Sequence, residues 1–394
     1  MNAIFVTRFE PTAVGHGGQH RSYQVWHDLR AVLGAESVHV YTPEPQAGAP
    51  PAHRHSRRYS LQLRLHALRV LLSAGGNPYP LMAEMLSRTF RQRRRFGTIN
   101  VGAYQKFVTG VKTPVVCVVD HPIYATVVAA NQAGGIPTVN CTQNLETFDL
   151  SEVALDEPWG QYGFMVDFVG ELKWLADCDA RLLISRVEAG VVGGLGFPTH
   201  YYPYRPVGEV RGRLELVRAR RHSSPPEPGL FLMVGSAAHA TTREAFDWFI
   251  ARAKSDGLPR GVRVVIGGLE TERLLPEGTQ VPGIELRGWL SQPELDEWLA
   301  RCSACLAPQA RGFGALTRLP ELACAGIPVL VSEHASHALE LPPGAQSISG
   351  DWAEWRAVMQ ALAADPNPAT AEAYAAWEAR QPNPLPKTLS RWMA

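Results

Sequence analysis

An alternation of short apolar runs with amphipathic segments restricts this chain most, because it runs, breaks and runs again. "AIFVTRF", "SVHVYTP", "TPVVCVVD", "IPTVNCTQN" and "ARLLISR" read as strands in the first half. Segments at helical spacing lie between them, such as Val25, Trp26, Leu29, Val32 and Leu33, "YATVVAANQAG" and "GFMVDFVGELKWLADC". "TPVVCVVD" is continuously apolar, as a parallel strand covered on both faces must be. Strand–helix–strand order of this kind specifies a parallel, doubly wound α/β domain. Residues 207–228, ending "RRHSSPPEPG", are charged and then proline-rich, and read as a linker. The alternation then restarts with "LFLMVGS", "TTREAFDWFIARAK", "GVRVVIGG", "GIELRGW" and "ACLAPQ". The expected organisation is a first domain over 1–206, a linker over 207–228, a second domain over 229–370 and a packing helix or tail over 371–394.

A length of 394 residues suits two such domains, and 45% hydrophobic against 19% charged residues excludes a disordered chain. The net charge of +1 argues against bulk nucleic-acid binding. "MNAIFVTRFE" meets a charge at Arg8 and reads as a buried strand, not a leader. No run approaches the ~18 apolar residues of a membrane span. Six cysteines are scattered, and only Cys302 and Cys305 form a C-x-x-C, with no second pair to complete a zinc site. They are expected to be buried structural thiols, which points to a reducing, cytoplasmic compartment.

Two doubly wound domains in series place a cleft between two sets of strand C-termini, where open α/β sheets bind ligands. The stretch "RGFGALTRLPELACAGIPVL" supplies chemistry for that cleft. Gly312 and Gly314 follow a strand and precede a helix starting near Thr317. Such a junction offers bare backbone N–H groups and the positive end of a helix dipole. Arg318 adds a planar cationic fork suited to a diphosphate, and Glu321, one turn on, suits sugar hydroxyls. The bland alternative is a tight turn with a surface ion pair. "GHGGQH", with Gly17 and Gly18, is not G-x-G-x-x-G, and no acidic residue ends the second strand, which argues against a dinucleotide oxidoreductase.

"APQARGFGALTRLPELACAGIPVLVS" resembles the signature of family-4-like glycosyltransferases of the GT-B fold. "HGGQHRSYQVWHDL" is similar to that family's N-terminal Gly-Gly turn, and "QNLE", with Asn144 and Glu146, to its His-Asn-x-Glu stretch, here opened by Gln143. "ELKWLADCDARLLISRVEAGVV" and "FLMVGSAAHATTREAFDWF" resemble two further segments, so the likeness spans most of the chain. It implies a GT-B fold of two Rossmann-like domains facing a cleft. It also implies transfer of a sugar from a nucleotide-diphosphate donor to an acceptor hydroxyl, with retention and with no metal or other cofactor. By the same likeness Gly17 and Gly18 face the donor phosphates, and His121 contacts the donor sugar near the reacting centre. Gly235, Arg311, Gly312, Phe313, Gly314, Arg318 and Glu321 hold the nucleotide sugar. Ser236 stands where the family has an arginine, and Arg243 is the nearest basic residue to its usual lysine. Two other readings fit the same pattern: an epimerase-like enzyme acting on nucleotide sugars, and a non-catalytic GT-B binding protein.

Residues 54–95 carry ten arginines against one acid, Glu84, and Leu61, Leu65, Leu68 and Leu72 repeat at helical spacing. That is an amphipathic helix with a basic face, either solvated or set against an anionic membrane or a phosphate-bearing or lipid-linked acceptor. A cytoplasmic protein peripheral to the inner membrane face is the expectation if the second holds. Each basic residue near such a surface contributes ~1 kcal/mol, within a Debye length. The chain should then pellet with anionic vesicles at low salt, and reversing Arg91, Arg93 and Arg94 should abolish this. No pelleting would leave the solvated face.

Overall fold

The computed structural model describes residues 1–8, 10–42, 101–112, 114–121, 125–145, 147–148, 168–312, 314–366 and 368–393. The basic stretch over 54–95, Glu146 and Phe313 lie outside them.

Among the described residues there are two six-stranded, all-parallel sheets. The first contains β1 (Asn2–Val6), β2 (Val38–Tyr41), β3 (Pro114–Val119), β4 (Thr138–Asn140), β5 (Ala180–Leu183) and β6 (His200–Tyr201), in the order β2-β1-β3-β4-β5-β6. The second contains β7 (Leu230–Val234), β8 (Arg263–Gly267), β9 (Ile284–Gly288), β10 (Ala304–Ala307), β11 (Val329–Ser332) and β12 (Ala345–Ile348), in the order β12-β11-β10-β7-β8-β9. Each order reverses once, between β1 and β3 and between β7 and β10. A reversal opens a crevice at the strand C-termini, because the connecting helices leave it on opposite faces. The chain therefore carries two preformed ligand crevices.

Helix α1 (Gly17–Leu33) leaves β1 at the first crevice. The Gln19 side chain accepts from the His16 backbone N–H, which closes the helix start, and Gly34 at φ 89° ends it. The centre of β1 and β3 is fully buried at Ile4, Phe5, Val116, Cys117, Val118 and Val119, as a sheet covered on both sides requires. All six cysteines are free and buried. No helix of the described residues is long and apolar enough to cross a membrane.

The stretch expected to be a linker is instead largely a helix, α2 (Gly208–Ser223). Val210, Leu214 and Val217 enter the second-half core beside Leu319 and Leu322. Arg221 donates to the carbonyls of Leu299 and Cys302. The apolar residues sit at helical spacing, but arginines and glutamates fill the positions between and mask the period. The C-terminal stretch crosses the molecule. Tyr374 and Trp377 on α3 (Ala371–Arg380) join the second-half core, while Leu385 and Leu389 on α4 (Leu385–Leu389) join Ala3, Phe5 and Val25 in the first.

If α2 belongs to the second-half core, Leu214→Ala should cost about 2–5 kcal/mol, the range for emptying a buried leucine site. Urea unfolding checks this. A change below ~0.5 kcal/mol would mean that α2 is only a tether.

Candidate functional site between the two sheets

The two crevices face each other. On the second-half side, the loop after β7 carries Gly235 and Ser236, and the next helix, α5, spans Ala240–Asp256. The loop after β10 runs through Gly312 and Gly314 into α6 (Arg318–Cys324). Arg318 Nη1 donates to Val234 O at 2.5 Å, so the guanidinium lies at the C-terminus of β7. A Cβ on Gly235 would sit 3.6 Å from that same nitrogen and 2.6 Å from Thr242 Cγ2. Gly235 is thus required by close packing beside the cation. Burial lowers the Arg318 pKa. Thr242, Phe246, Pro308 and Gln309 line a shallow hollow together with Arg318. At seven residues α6 has a weak dipole, so the charge of Arg318 outweighs the helix end.

Gly312 has φ +88°, a left-handed conformation that favours glycine, and His334 Nε2 lies 2.9 Å from its carbonyl oxygen. The other two cations expected here are shared with carboxylates at the surface. Arg311 lies 3.5 Å from Glu244, and Arg243 lies 3.7 Å from Asp247.

On the first-half side, Gly17 and Gly18 open α1. A Cβ on Gly17 would fall 2.1 Å from Thr317 Oγ1, and one on Gly18 2.6 Å from Gln143 Oε1. The Gly-Gly pair therefore lets α1 approach the second half on one side and Gln143 on the other. Gln143 Nε2 donates to Gly18 O and to Ser22 Oγ, each at 3.1 Å. The Ser22 and Thr7 hydroxyls donate to Asp120 Oδ2 at 2.6 and 2.7 Å. Asp120 Oδ1 is buried and has no partner among the described residues. Burial pushes the Asp120 carboxyl up, against the pull of its two hydroxyl partners. His121, the next residue, is buried at the same strand end. Asn144 is half-buried and precedes Leu145, whose N–H donates to Glu188 Oε1 at 2.7 Å.

One side chain joins the halves. Glu321 Oε1 lies 2.7 Å from His20 Nδ1 on α1 and accepts from the Tyr204 hydroxyl at 2.7 Å. Tyr204 belongs to the segment that leads out of the first sheet. Burial raises the Glu321 pKa, but His20 and Tyr204 outweigh it and leave the carboxyl below its ordinary value. The structure thus brings together Gly17, Gly235, Gly312, Gly314, Arg318 and Glu321, and sets Arg243 and Arg311 against surface carboxylates. Sequence reasoning missed His20, Asp120 and Tyr204. An acid directly after the apolar run "VVCVV" was the available signal for Asp120, while nothing local marked the other two.

This is the GT-B fold, and the comparisons with solved structures agree. The chain is similar to sucrose-phosphate synthase from Thermosynechococcus elongatus, at a TM-score of 0.59 and 15% identity over 99% of this chain and 98% of that one. It is similar to Anabaena HepE in complex with UDP-glucose, at 0.55 and 10% over 99% and 100%. The UDP-forming α,α-trehalose-phosphate synthase of Burkholderia vietnamiensis gives 0.54 and 13% over 96% and 94%. No family model matches the chain, and no curated protein matches it in sequence. At such identities the likeness establishes the fold.

The lowered Glu321 pKa has a sign that can be checked. A carboxyl depressed on folding adds stability above its unfolded pKa, near 4.3, and that stability is lost as pH falls through the folded value. The stability gap between the native chain and Glu321→Gln should shrink on acidification below about pH 4. A gap that instead grows in acid would mean that the pair does not form.

Proposed function

We propose that the protein transfers a glycosyl unit from a nucleotide-diphosphate sugar to an acceptor hydroxyl, with retention and without a metal. The observation that carries this is the meeting of two crevices, one walled by Arg318 and Gly235 and the other by Gly17, His121 and Asp120, across Glu321. Anabaena HepE, which shares this fold, is seen in complex with UDP and with UDP-glucose, which supports a nucleotide sugar as the donor class.

The chemistry assigned to each residue follows from charge. Departure of the sugar builds negative charge on the diphosphate. A cation fixed beforehand at the C-terminus of β7 stabilises that charge more in the transition state than in the ground state. Arg318 takes this role, assisted by the positive end of α1, which at 17 residues carries a full dipole. Glu321 accepts from the ribose hydroxyls, far from the reacting bond, and so binds both states alike. His121 faces the transferred sugar. Gly312 and Gly314 let the donor approach the backbone, and Ser236 and Asn144 add polar groups to the lining; Phe313 and Glu146, which the resemblance assigns to the same site, lie outside the described residues. Arg243 and Arg311 reach the donor only by leaving their carboxylate partners. The basic stretch over 54–95 supports an anionic acceptor, lipid-linked or phosphate-bearing.

A thermal-shift screen over UDP, GDP, ADP and dTDP sugars tests the donor class, because a ligand at ~100 times its Kd stabilises by ~2.7 kcal/mol. No shift with any of them would overturn the proposal. Release of nucleotide only when acceptor is present separates transfer from epimerisation and from simple binding. With the donor known, Arg318→Ala should lower kcat by about 10²–10³-fold, and Arg318→Lys should recover part of it. His121→Ala should lower kcat far more than it weakens nucleotide binding. Glu321→Ala should chiefly raise the donor KM, the mark of lost uniform binding. If Arg318→Ala moves neither constant, the donor site lies elsewhere.

A further inference from the structure

We propose that His20 and Tyr204 are positioning residues that aim Glu321 at the donor from the opposite half of the molecule, so that ribose recognition by the second half depends on contact with the first. The inference rests on the reading of Glu321 as the ribose-binding carboxylate. Three features carry it. Both donors converge on one oxygen, Oε1, at 2.7 Å each. Among the described residues no donor contacts Oε2, so a single lone-pair face is left for ligand hydroxyls. Two bonds to one oxygen fix the carboxylate plane as well as its place, which a single flexible bond does not.

The holders are themselves held. His20 is almost fully buried on α1, and its ring Nε2 finds no partner among the described residues, so Glu321 is the one group that repays its burial. Tyr204 is buried one residue past Pro203, whose carbonyl accepts from Arg21 and Gln24 of α1. Arg205 binds Asp28 of α1 at 2.8 Å. The segment that carries Tyr204 is thereby fastened to the helix that carries His20, and the two donors move as one body. Glu321 sits on α6, three residues after Arg318. Whatever separates α1 from α6 releases the carboxylate from both donors together and leaves it free to rotate. The consequence for a transferase is that the donor is gripped fully only when the halves are apposed.

Tyr204→Phe deletes one donor and keeps the ring, and His20→Asn keeps a donor near Nδ1, so both are mild enough to fold. Binding of UDP, GDP, ADP and dTDP to the native chain is measured first by calorimetry, and the tightest binder is carried forward. Its 2′,3′-dideoxy form is the control that lacks the ribose hydroxyls. Tyr204→Phe should weaken the normal nucleotide about five- to tenfold, the net worth of one hydrogen bond, since the contact acts through Glu321. His20→Ala should do so at least as much, and His20→Asn should recover part of the loss. Neither variant should change binding of the dideoxy nucleotide. On a Glu321→Ala background, Tyr204→Phe should have no further effect, because the two act through one carboxylate. If Glu321→Ala binds the normal nucleotide as the native chain does, the ribose reading itself is wrong. If Glu321→Ala weakens it but Tyr204→Phe and His20→Ala do not, the positioning role is wrong and the ribose reading stands. Equal losses for the normal and dideoxy nucleotides would reduce both residues to structural supports.

Discussion

A largely buried carboxylate is costly unless every oxygen that leaves water is repaid, and Glu321 is repaid from the far half of the chain. That makes the bond to His20 and Tyr204 the constraint on which the cleft depends. Removing one partner from a buried pair costs about 3–5 kcal/mol, because it strands the other group in the interior, so each half constrains which residues the other can carry at this contact. The approach of Gly17 to Thr317 follows from it. With His20 fixed on Glu321, the first turn of α1 is carried against the start of α6, and only a residue without a side chain fits between them.

The same logic explains the polar residues beneath α1. Arg21 is fully buried, donates to Gln24 and Pro203, and lies 4.3 Å from the centre of the Tyr202 ring. A desolvated cation over an aromatic face gains ~2 kcal/mol, which offsets part of its burial. Asp28 accepts from Tyr202 and Arg205. These contacts tie the segment leaving the first sheet to α1 at Tyr202, Pro203 and Arg205. Beyond these contacts the backbone turns at Gly208, where φ of +50° marks the entry to α2.

The doubly wound halves were legible because parallel strands buried on both faces write themselves as continuous apolar runs. The loop "RGFGALTRLPEL" was legible because strand end, glycine, cation and carboxylate follow one another between Ala307 and Glu321, and local spacing places Arg318 and Glu321 on one short helix. What spacing does not convey is which partner a side chain meets across the molecule. His20 lies 301 residues from Glu321, and Tyr204 lies 117 away. The same limit hid the pairing of Arg311 with Glu244, whereas Arg243 and Asp247 stand four residues apart on one helix, a spacing the sequence does show. For α2 the failure was different. Its core residues Val210, Leu214 and Val217 were at helical spacing, but mean polarity dominated the reading over period.

The division of labour in the cleft follows from where rigidity is stored. Arg318 is anchored within its own half, on the Val234 carbonyl and beside Gly235, so its charge is in place whether or not the halves meet. Glu321 is anchored on the other half. The Arg318 cation is therefore preorganised, and the Glu321 carboxylate is organised by apposition. A ligand with both a diphosphate and a ribose would meet the fixed charge first, through long-range attraction, and the oriented carboxylate second, through short bonds that exist only in the apposed arrangement. That ordering needs no moving part beyond the separation of α1 from α6, and it places the energetic link between ligand and domain contact in one side chain.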